Sequence, residues 1–526
     1  MENQEGLMPT VRDATMHLLR NLGVTTIFGN PGSTELPMFR DFPTDFRYIL
    51  GLQESVVMGM ADGFALASRN AALVNLHSSA GIGHALGNLF TAYKNQAPLI
   101  VTAGQQARSI LPFEPFLHAG RATEFPQPFV KWTCEPARAQ DVPRAIARAY
   151  YEATTPPCGP VFVSVPVDDW DAECDWVEAR TMATLNPGDP TAIAQLADAM
   201  AKAQHPAFVL GAGTARDGAW DALVALAEQQ SASVYVAPYA SRNVFPEDHR
   251  LFRGFLPAFQ ERMVALLTEH DFILSLGGPL NLYHAEGSGP HVPEGTDVWS
   301  TGDNPAVLAW APVGHAILGN TRAIAETLLT RGTHASRPKP ARRPAPPALN
   351  RAVLDDRLVL QCIMDTMPAN AIIVEEAPTS RPPMQVYLRL NQPDCFFTTA
   401  SGGLGYGMPA AVGISLARPK ARIIAILGDG SAMYGIQALF SAFQLRAQIT
   451  FVIINNRKYQ ALRDFGQTFG IQRVVGTDLS GLDFRALAKG HGLPTGRQVT
   501  DADALTEALA DSFATNGPTL IEIQVD

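Results

Sequence analysis

A chain of 526 residues, 46% hydrophobic and 17% charged, carries enough apolar surface for about three domains and too little charge for a disordered protein. Its formal net charge of -10 argues against a nucleic-acid surface, and no uninterrupted apolar run reaches the roughly 18 residues that mark a membrane span. The acidic stretch 1–6 lacks the basic-then-apolar order of a signal peptide, and the scattered cysteines, outside any Cys-x-x-Cys pattern, suit neither a zinc site nor a disulfide frame, so a cytoplasmic protein is expected.

Short apolar runs alternate with amphipathic stretches from end to end, which predicts an α/β fold of three doubly wound parallel-sheet domains with helices on both faces. In chain order, residues 48–63 first place Glu54 in markedly apolar surroundings, where a strand should pass into a helix. By itself such a residue reads as a helix-start carboxylate satisfied by backbone N–H groups. Buried, it would have a raised pKa and would need a partner. The run 72–76 ends at His77, whose ring is expected at the sheet edge where parallel sheets bind ligands. Strands follow at 99–103 and 161–165, and a break near 176–189 closes a first domain of residues 1–180.

A helix at about 191–203 opens a second domain, residues 187–335, with strands at 207–210 and 272–276. Gly211-Ala212-Gly213-Thr214-Ala215-Arg216 lacks the third glycine of a dinucleotide fingerprint and is a weak nucleotide signal. His284 follows Leu280-Asn281-Leu282-Tyr283, beyond the strand 272–276. Residues 336–351, rich in proline and arginine, cannot hold a helix or a central strand and read as a linker. The third domain, residues 352–526, begins its sheet at 372–374.

The chemistry is concentrated there. The apolar run 423–427 ends in Gly428-Asp429-Gly430-Ser431 and passes into a helix. Small residues, free N–H groups and a helix start suit a diphosphate, and the carboxylate suits a hard cation. The run 450–454 then ends in Asn455-Asn456, bringing an amide oxygen to the same sheet edge. Mg²⁺ takes about six oxygens from one or two side chains, phosphate and water, so Asp429, Asn456 and one loop carbonyl would be the protein's share. A lone Asp after a strand more often caps a helix; two half-motifs, each at a strand end, favour the cofactor.

This Gly-Asp-Gly and Asn-Asn pair resembles the thiamin diphosphate motif. The likeness extends through Phe28-Gly29-Asn30-Pro31-Gly32-Ser33-Thr34-Glu35-Leu36-Pro37, Leu52-Gln53-Glu54, Asn75-Leu76-His77-Ser78-Ser79-Ala80-Gly81 and Gly402-Gly403-Leu404-Gly405-Tyr406-Gly407-Met408-Pro409. Over nearly its whole length the chain is similar to the thiamin diphosphate dependent 2-oxoacid decarboxylases, on their benzoylformate decarboxylase branch. The resemblance implies a pyrimidine-binding first domain, a Rossmann-like middle domain and a diphosphate- and Mg²⁺-binding third domain. It also implies a homotetramer, a dimer of dimers, in which Glu54 serves a cofactor held by Asp429 of the partner subunit.

Carried over residue by residue, the resemblance makes Glu54 the partner of the aminopyrimidine ring and puts Asn30 and Gly32 in the loop around it. Leu404, beside Gly403, props the cofactor in its bent form. Thr379, Ser431 and Tyr459 surround the diphosphate with Gly428 and Gly430, and the backbone carbonyl of Lys458 is the last metal ligand. Ser33, His77 and His284 correspond to the serine and two histidines that bind the substrate carboxylate and move protons, imidazoles being suited to that work. The absence of a His-His pair separates the chain from pyruvate decarboxylases. Phe116, Leu117, Ala461, Leu462 and Phe465 match an apolar slot for an aryl group.

The implied reaction is non-oxidative decarboxylation of an aromatic 2-oxoacid to an aldehyde and CO₂ through a carbanion at C2 of the cofactor. Glu375-Glu376, Pro378, Asp464 and His118 depart from the family's pattern and leave a modified or bulkier 2-oxoacid open. Two other readings stay open as well: a carboligase or lyase resembling acetolactate synthase or benzaldehyde lyase, and a cofactor-binding protein without turnover.

Overall fold

The computed structural model describes residues 8–331, 337–494 and 496–525; the stretch 1–6 and Ser336, where the proline-rich linker begins, lie outside the described residues. By internal packing the chain forms two compact units, one of Met1–Ala183, Pro368–Thr379 and Ser401–Asp526, the other of Thr184–Met367 and Ser380–Ala400. No described helix is long and apolar enough to cross a membrane.

The first unit contains one complete parallel sheet with the spatial order Arg47–Leu50, Thr26–Asn30, Ala72–Leu76, Leu99–Gln105, Val161–Pro166, Thr133–Cys134. The chain lays its second strand on one side of Thr26–Asn30 and its third on the other. Such a reversal opens a crevice beyond the carboxyl ends of the strands on either side of it. Asn30 lies opposite Leu76 in register, so the loops that follow, carrying Gly32 and Ser33 on one side and His77 on the other, leave the sheet next to each other.

Five strands of a second parallel sheet also lie in this unit, ordered Ile372–Glu376, Ile423–Gly428, Ile449–Asn455, Thr519–Gln524, Gly496–Val499. Ile424, Ile426, Val452 and Ile453 are fully buried, each contributing about 1.5–3 kcal/mol of apolar burial. That packing fixes the register, with Glu376 opposite Leu427 and Gly428 opposite Ile454, and so aligns the strand ends from which Asp429 and Asn456 emerge.

Two helices join these sheets by direct backbone contact. A Cβ on Gly413 would lie 1.8 Å from Met60 O, and one on Gly63 would lie 2.4 Å from Ala410 O, so helix Glu54–Ser68 and helix Gly407–Ala417 can meet only through glycine. The second of these is apolar around most of its circumference and almost wholly buried, as a helix enclosed on all sides must be. Asn88 closes the joint by donating from Nδ2 to Ser55 O at 2.7 Å and Gly405 O at 2.9 Å. The start of the Glu54 helix is thereby tied to the Gly403-Leu404-Gly405 loop.

The second unit contains a parallel sheet ordered His315–Leu318, Asp297–Gly302, Phe272–Leu276, Pro206–Leu210, Ser233–Val236, Phe252–Phe255, the strand order of a Rossmann fold. Its glycines at 211 and 213 serve backbone contact: Gly213 N–H donates to Gly277 O at 2.6 Å, and a Cβ on Gly211 would lie 2.5 Å from Gly278 Cα. Residues 337–350 have neither helix nor strand. The linker is nevertheless strapped down, because the Arg337 guanidinium donates to the carbonyls of Met200, Ala203 and Gln230 at 2.6 to 2.9 Å.

Candidate active site

The crevice of the first sheet is organised by a buried carboxylate, Glu35, which stands in a 3-10 helix, Ser33–Phe39. Its Oε1 accepts from Gly104 N–H at 3.0 Å and Thr34 Oγ1 at 2.7 Å; its Oε2 accepts from Gly32 N–H at 2.9 Å and faces His77 Nδ1 at 2.8 Å. With the carboxylate oxygen as acceptor, His77 donates from Nδ1, which leaves Nε2 as the ring nitrogen not committed to Glu35. The imidazole is part-exposed, whereas Glu35 is buried. Ser33 is exposed at the start of the 3-10 helix. Ser78, directly after His77, has φ of 51°, a left-handed conformation that costs a non-glycine residue about 1 kcal/mol. It turns the chain sharply from the strand into helix Ser78–Asn95.

Gly32 leaves room for that ring. A Cβ there would lie 2.2 Å from His77 Cγ, while its φ of -131° is one that alanine adopts freely. Gly32→Ala is therefore expected to displace the imidazole without straining the backbone, lowering kcat on the order of 10²-fold, as small misplacements of catalytic groups do. Steady-state kinetics with a thermal melt checks this; an unchanged kcat would mean that His77 need not occupy this position.

Glu54 is the first residue of helix Glu54–Ser68, whose N-cap is the Gln53 side chain, accepting from Val56 N–H. The residue is 9% exposed. Its Oε1 accepts from Asn30 Nδ2 at 3.1 Å and its Oε2 lies 3.1 Å from His84 Nδ1. Asn30 and Glu54 are thus brought together, with His84, which the sequence did not single out, as a third member.

Asp429 begins helix Asp429–Tyr434 and is 4% exposed. Oδ1 accepts from Gly430 N–H at 2.7 Å, while Oδ2 is buried with no hydrogen-bond partner among the described residues. Burial pushes this carboxyl above its ordinary range, against the pull of nearby N–H groups. A buried, half-satisfied carboxylate at a strand end is what a divalent cation would complete. Asn456 follows on the neighbouring strand end, its Oδ1 accepting from Lys458 N–H at 3.1 Å, and Arg457 between them takes a left-handed φ of 60°. That turn carries Lys458 back alongside Asp478, and the Lys458 carbonyl accepts from Gln460 N–H at 3.0 Å. Among the described residues no group of three or more His, Cys, Asp or Glu could hold a metal, so any cation here would rely on an Asp, an amide and a carbonyl.

Tyr459 lies over Gly430, where a Cβ would come within 2.2 Å of Cε1, and Ser431 is buried beside it. Thr379 Oγ1 accepts from Ala461 N–H at 3.1 Å, anchoring helix Gln460–Thr468 near the end of Ile372–Glu376. Gly403 N–H donates to Ser401 Oγ, which contacts Thr91 Oγ1; both distances are 2.9 Å. Leu404 is half-buried. The Glu375-Glu376 departure acquires a structural role: Glu375 accepts from Ala377 N–H at 2.7 Å, and Glu376 accepts from Gly405 N–H at 2.6 Å and Gly407 N–H at 2.7 Å. Burial pushes Glu376 up to about 8 in spite of those donors.

Of the expected aryl slot, Phe116 is 86% exposed and Leu462 49% exposed, while Leu117, at φ of 66°, Ala461 and Phe465 are partly covered. Phe465 meets Phe469 edge-on, with centroids 5.4 Å apart. His284 belongs to the other unit, where its Nδ1 lies 2.8 Å from Tyr239 Oη. Tyr239 is held at φ of 54°.

A crevice carrying a buried carboxylate and an oriented imidazole, on the same polypeptide as a helix start with a half-satisfied Asp, is the equipment of a cofactor-dependent α/β enzyme. Comparison with known proteins agrees. Residues 9–125 match the N-terminal TPP binding domain of thiamine pyrophosphate enzymes, 193–328 their central domain and 380–523 their C-terminal TPP binding domain. The chain belongs to the thiamine pyrophosphate enzyme family. It is 42% identical over 522 residues to benzoylformate decarboxylase of Pseudomonas aeruginosa, covering 98% of this chain and 99% of that one. The crystal structure of benzoylformate decarboxylase from Polynucleobacter necessarius superposes with a TM-score of 0.96 at 37% identity over 98% of this chain and 99% of that one. The thiamine diphosphate-dependent 4-hydroxybenzoylformate decarboxylase of Rhodococcus jostii RHA1 does so with a TM-score of 0.94 at 38% identity, again over 98% and 99%.

Proposed function

We propose that the protein removes CO₂ from an aromatic 2-oxoacid of the benzoylformate type and releases the aldehyde, using thiamin diphosphate held through Mg²⁺. The observation that carries this reading is Asp429 Oδ2, buried without a partner among the described residues at a Gly-Asp-Gly helix start, in a chain whose near-full-length relatives are named for benzoylformate. Asp429, Asn456 and the Lys458 carbonyl hold the cation. Gly428, Gly430, Ser431, Thr379 and Tyr459 receive the diphosphate, and Asn30, Gly32, Glu54, Gly403 and Leu404 receive the rest of the cofactor. When bound, thiamin diphosphate supplies the electron sink that lets the carboxylate leave as CO₂.

The chain's own residues do the rest. Glu54, held on both oxygens by Asn30 and His84, meets the ring nitrogen. Ser33 donates to the substrate carboxylate. His77, with Nδ1 committed to Glu35, offers Nε2 as the proton-carrying atom, and His284, steadied by Tyr239, is the second such group. Phe116, Leu117, Ala461, Leu462 and Phe465 are the apolar residues that would receive the aryl ring.

The working form is a homotetramer, a dimer of dimers, in the cytoplasm, with each site shared between two subunits. Phe113, Phe116, Phe469 and Val475 are 64% to 86% exposed in the single chain, apolar surface of the kind that a second copy covers. Measuring CO₂ and aldehyde from benzoylformate, 4-hydroxybenzoylformate, phenylpyruvate, pyruvate and branched 2-oxoacids, with thiamin diphosphate and Mg²⁺ supplied, tests the reading. Aryl substrates are expected to lead; acyloin from pyruvate without aldehyde would instead make the protein a carboligase.

A further inference from the structure

His84 lies on the face of helix Ser78–Asn95 that meets Glu54. Three residues before it on the same face, Gly81 packs beside Glu54: a Cβ there would stand at ordinary contact distance, 3.5 Å from Glu54 Cγ. The His84 ring reaches across to place Nδ1 3.1 Å from Glu54 Oε2, while its side chain remains 66% exposed to solvent and that of Glu54 is 11% exposed. The other oxygen is already committed to Asn30 Nδ2 at 3.1 Å. With the carboxylate oxygen as acceptor, the second bond is donated by His84 Nδ1–H. Two donors on opposite oxygens fix the plane of a side chain that would otherwise rotate about its terminal torsion, whose energy well is broad.

We propose that His84 is a positioning residue for Glu54, its Nδ1–H setting the carboxylate plane that receives the cofactor's ring nitrogen. This rests on the assignment of Glu54 to thiamin diphosphate. What His84 supplies is a single N–H at one point, and the charge and bulk of imidazole are incidental to it. An asparagine amide nitrogen, attached at the same γ position, falls where Nδ1 stands.

The test is the rate of hydrogen–deuterium exchange at C2 of bound thiamin diphosphate, read by NMR after acid quench with no substrate present, in wild type, Glu54→Ala, His84→Leu and His84→Asn. His84→Leu is expected to slow exchange by about 10- to 100-fold, the scale of a misoriented catalytic group, and to lower kcat in parallel while KM and thermal stability stay unchanged. His84→Asn is expected to retain exchange within about threefold of wild type. Exchange in the leucine variant at the wild-type rate, or equal losses in the leucine and asparagine variants, would overturn the proposal. A normal rate in Glu54→Ala would overturn the underlying assignment instead, so the two failures are distinguishable.

Discussion

Glu54→Ala is expected to lower turnover by about 10²–10⁴-fold, the usual contribution of a group that manages a proton in the rate-limiting chemistry, and to leave the fold intact. The carboxylate stands at the first position of its helix and bonds to Asn30 and His84; the helix itself is held by Gly63 against Ala410, Gly413 against Met60 and by the Gln53 cap. Removing Glu54 therefore takes away a chemical group and leaves the packing that positions it. Initial rates of CO₂ release, with far-ultraviolet circular dichroism as a control, would check this. A rate within a few-fold of wild type would remove Glu54 from the mechanism.

Asp429→Ala should act in opposite directions on the two states of the protein. Without cofactor, Asp429 Oδ2 is a buried acceptor with no partner among the described residues, a situation that costs about 1–3 kcal/mol, so the alanine variant should melt higher than wild type by a few degrees. With thiamin diphosphate and Mg²⁺ present, wild type gains stability through binding, and the variant should lose most of that gain. Breaking one half of a buried charge pair costs about 3–5 kcal/mol, equivalent to affinity weakened on the order of 10²–10⁴-fold. Thermal melts with and without the two ligands measure both effects. A variant that melts low in both states would make Asp429 a structural cap.

How far these residues were legible follows from the reach of their interactions. Asp429, Asn456 and Glu54 could be found because each stands where an apolar run stops and a helix or turn begins, and the strands Ile423–Gly428 and Ile449–Asn455 end where their apolar residues do. His77 was legible for the same reason, at the end of Ala72–Leu76. Glu35 lay within a motif already noted, yet its role depends on Gly104 and His77, brought close by neighbouring strands rather than by sequence. His84 reads as an ordinary helix position until helix Ser78–Asn95 is laid beside Glu54. Glu376 looked like a departure from pattern, and only the fold reveals the Gly405 and Gly407 N–H groups that it receives. Tyr239, 45 residues before His284, carried no local signal at all. Long-range contacts between polar groups leave no periodicity behind, whereas strand ends do.

Subunit complementation is the most direct test of a site shared between two chains. Glu54→Ala and Asp429→Ala protein, each nearly inactive alone, would be mixed, dissociated, reassociated and assayed for CO₂ release from benzoylformate. In a two-fold symmetric dimer a hybrid places both lesions in one site and leaves the other whole, so random reassociation is expected to restore activity to about a quarter of wild type. A mixture that stays as inactive as its components would contradict the account, since it would mean that Glu54 and Asp429 must come from the same chain or do not act together.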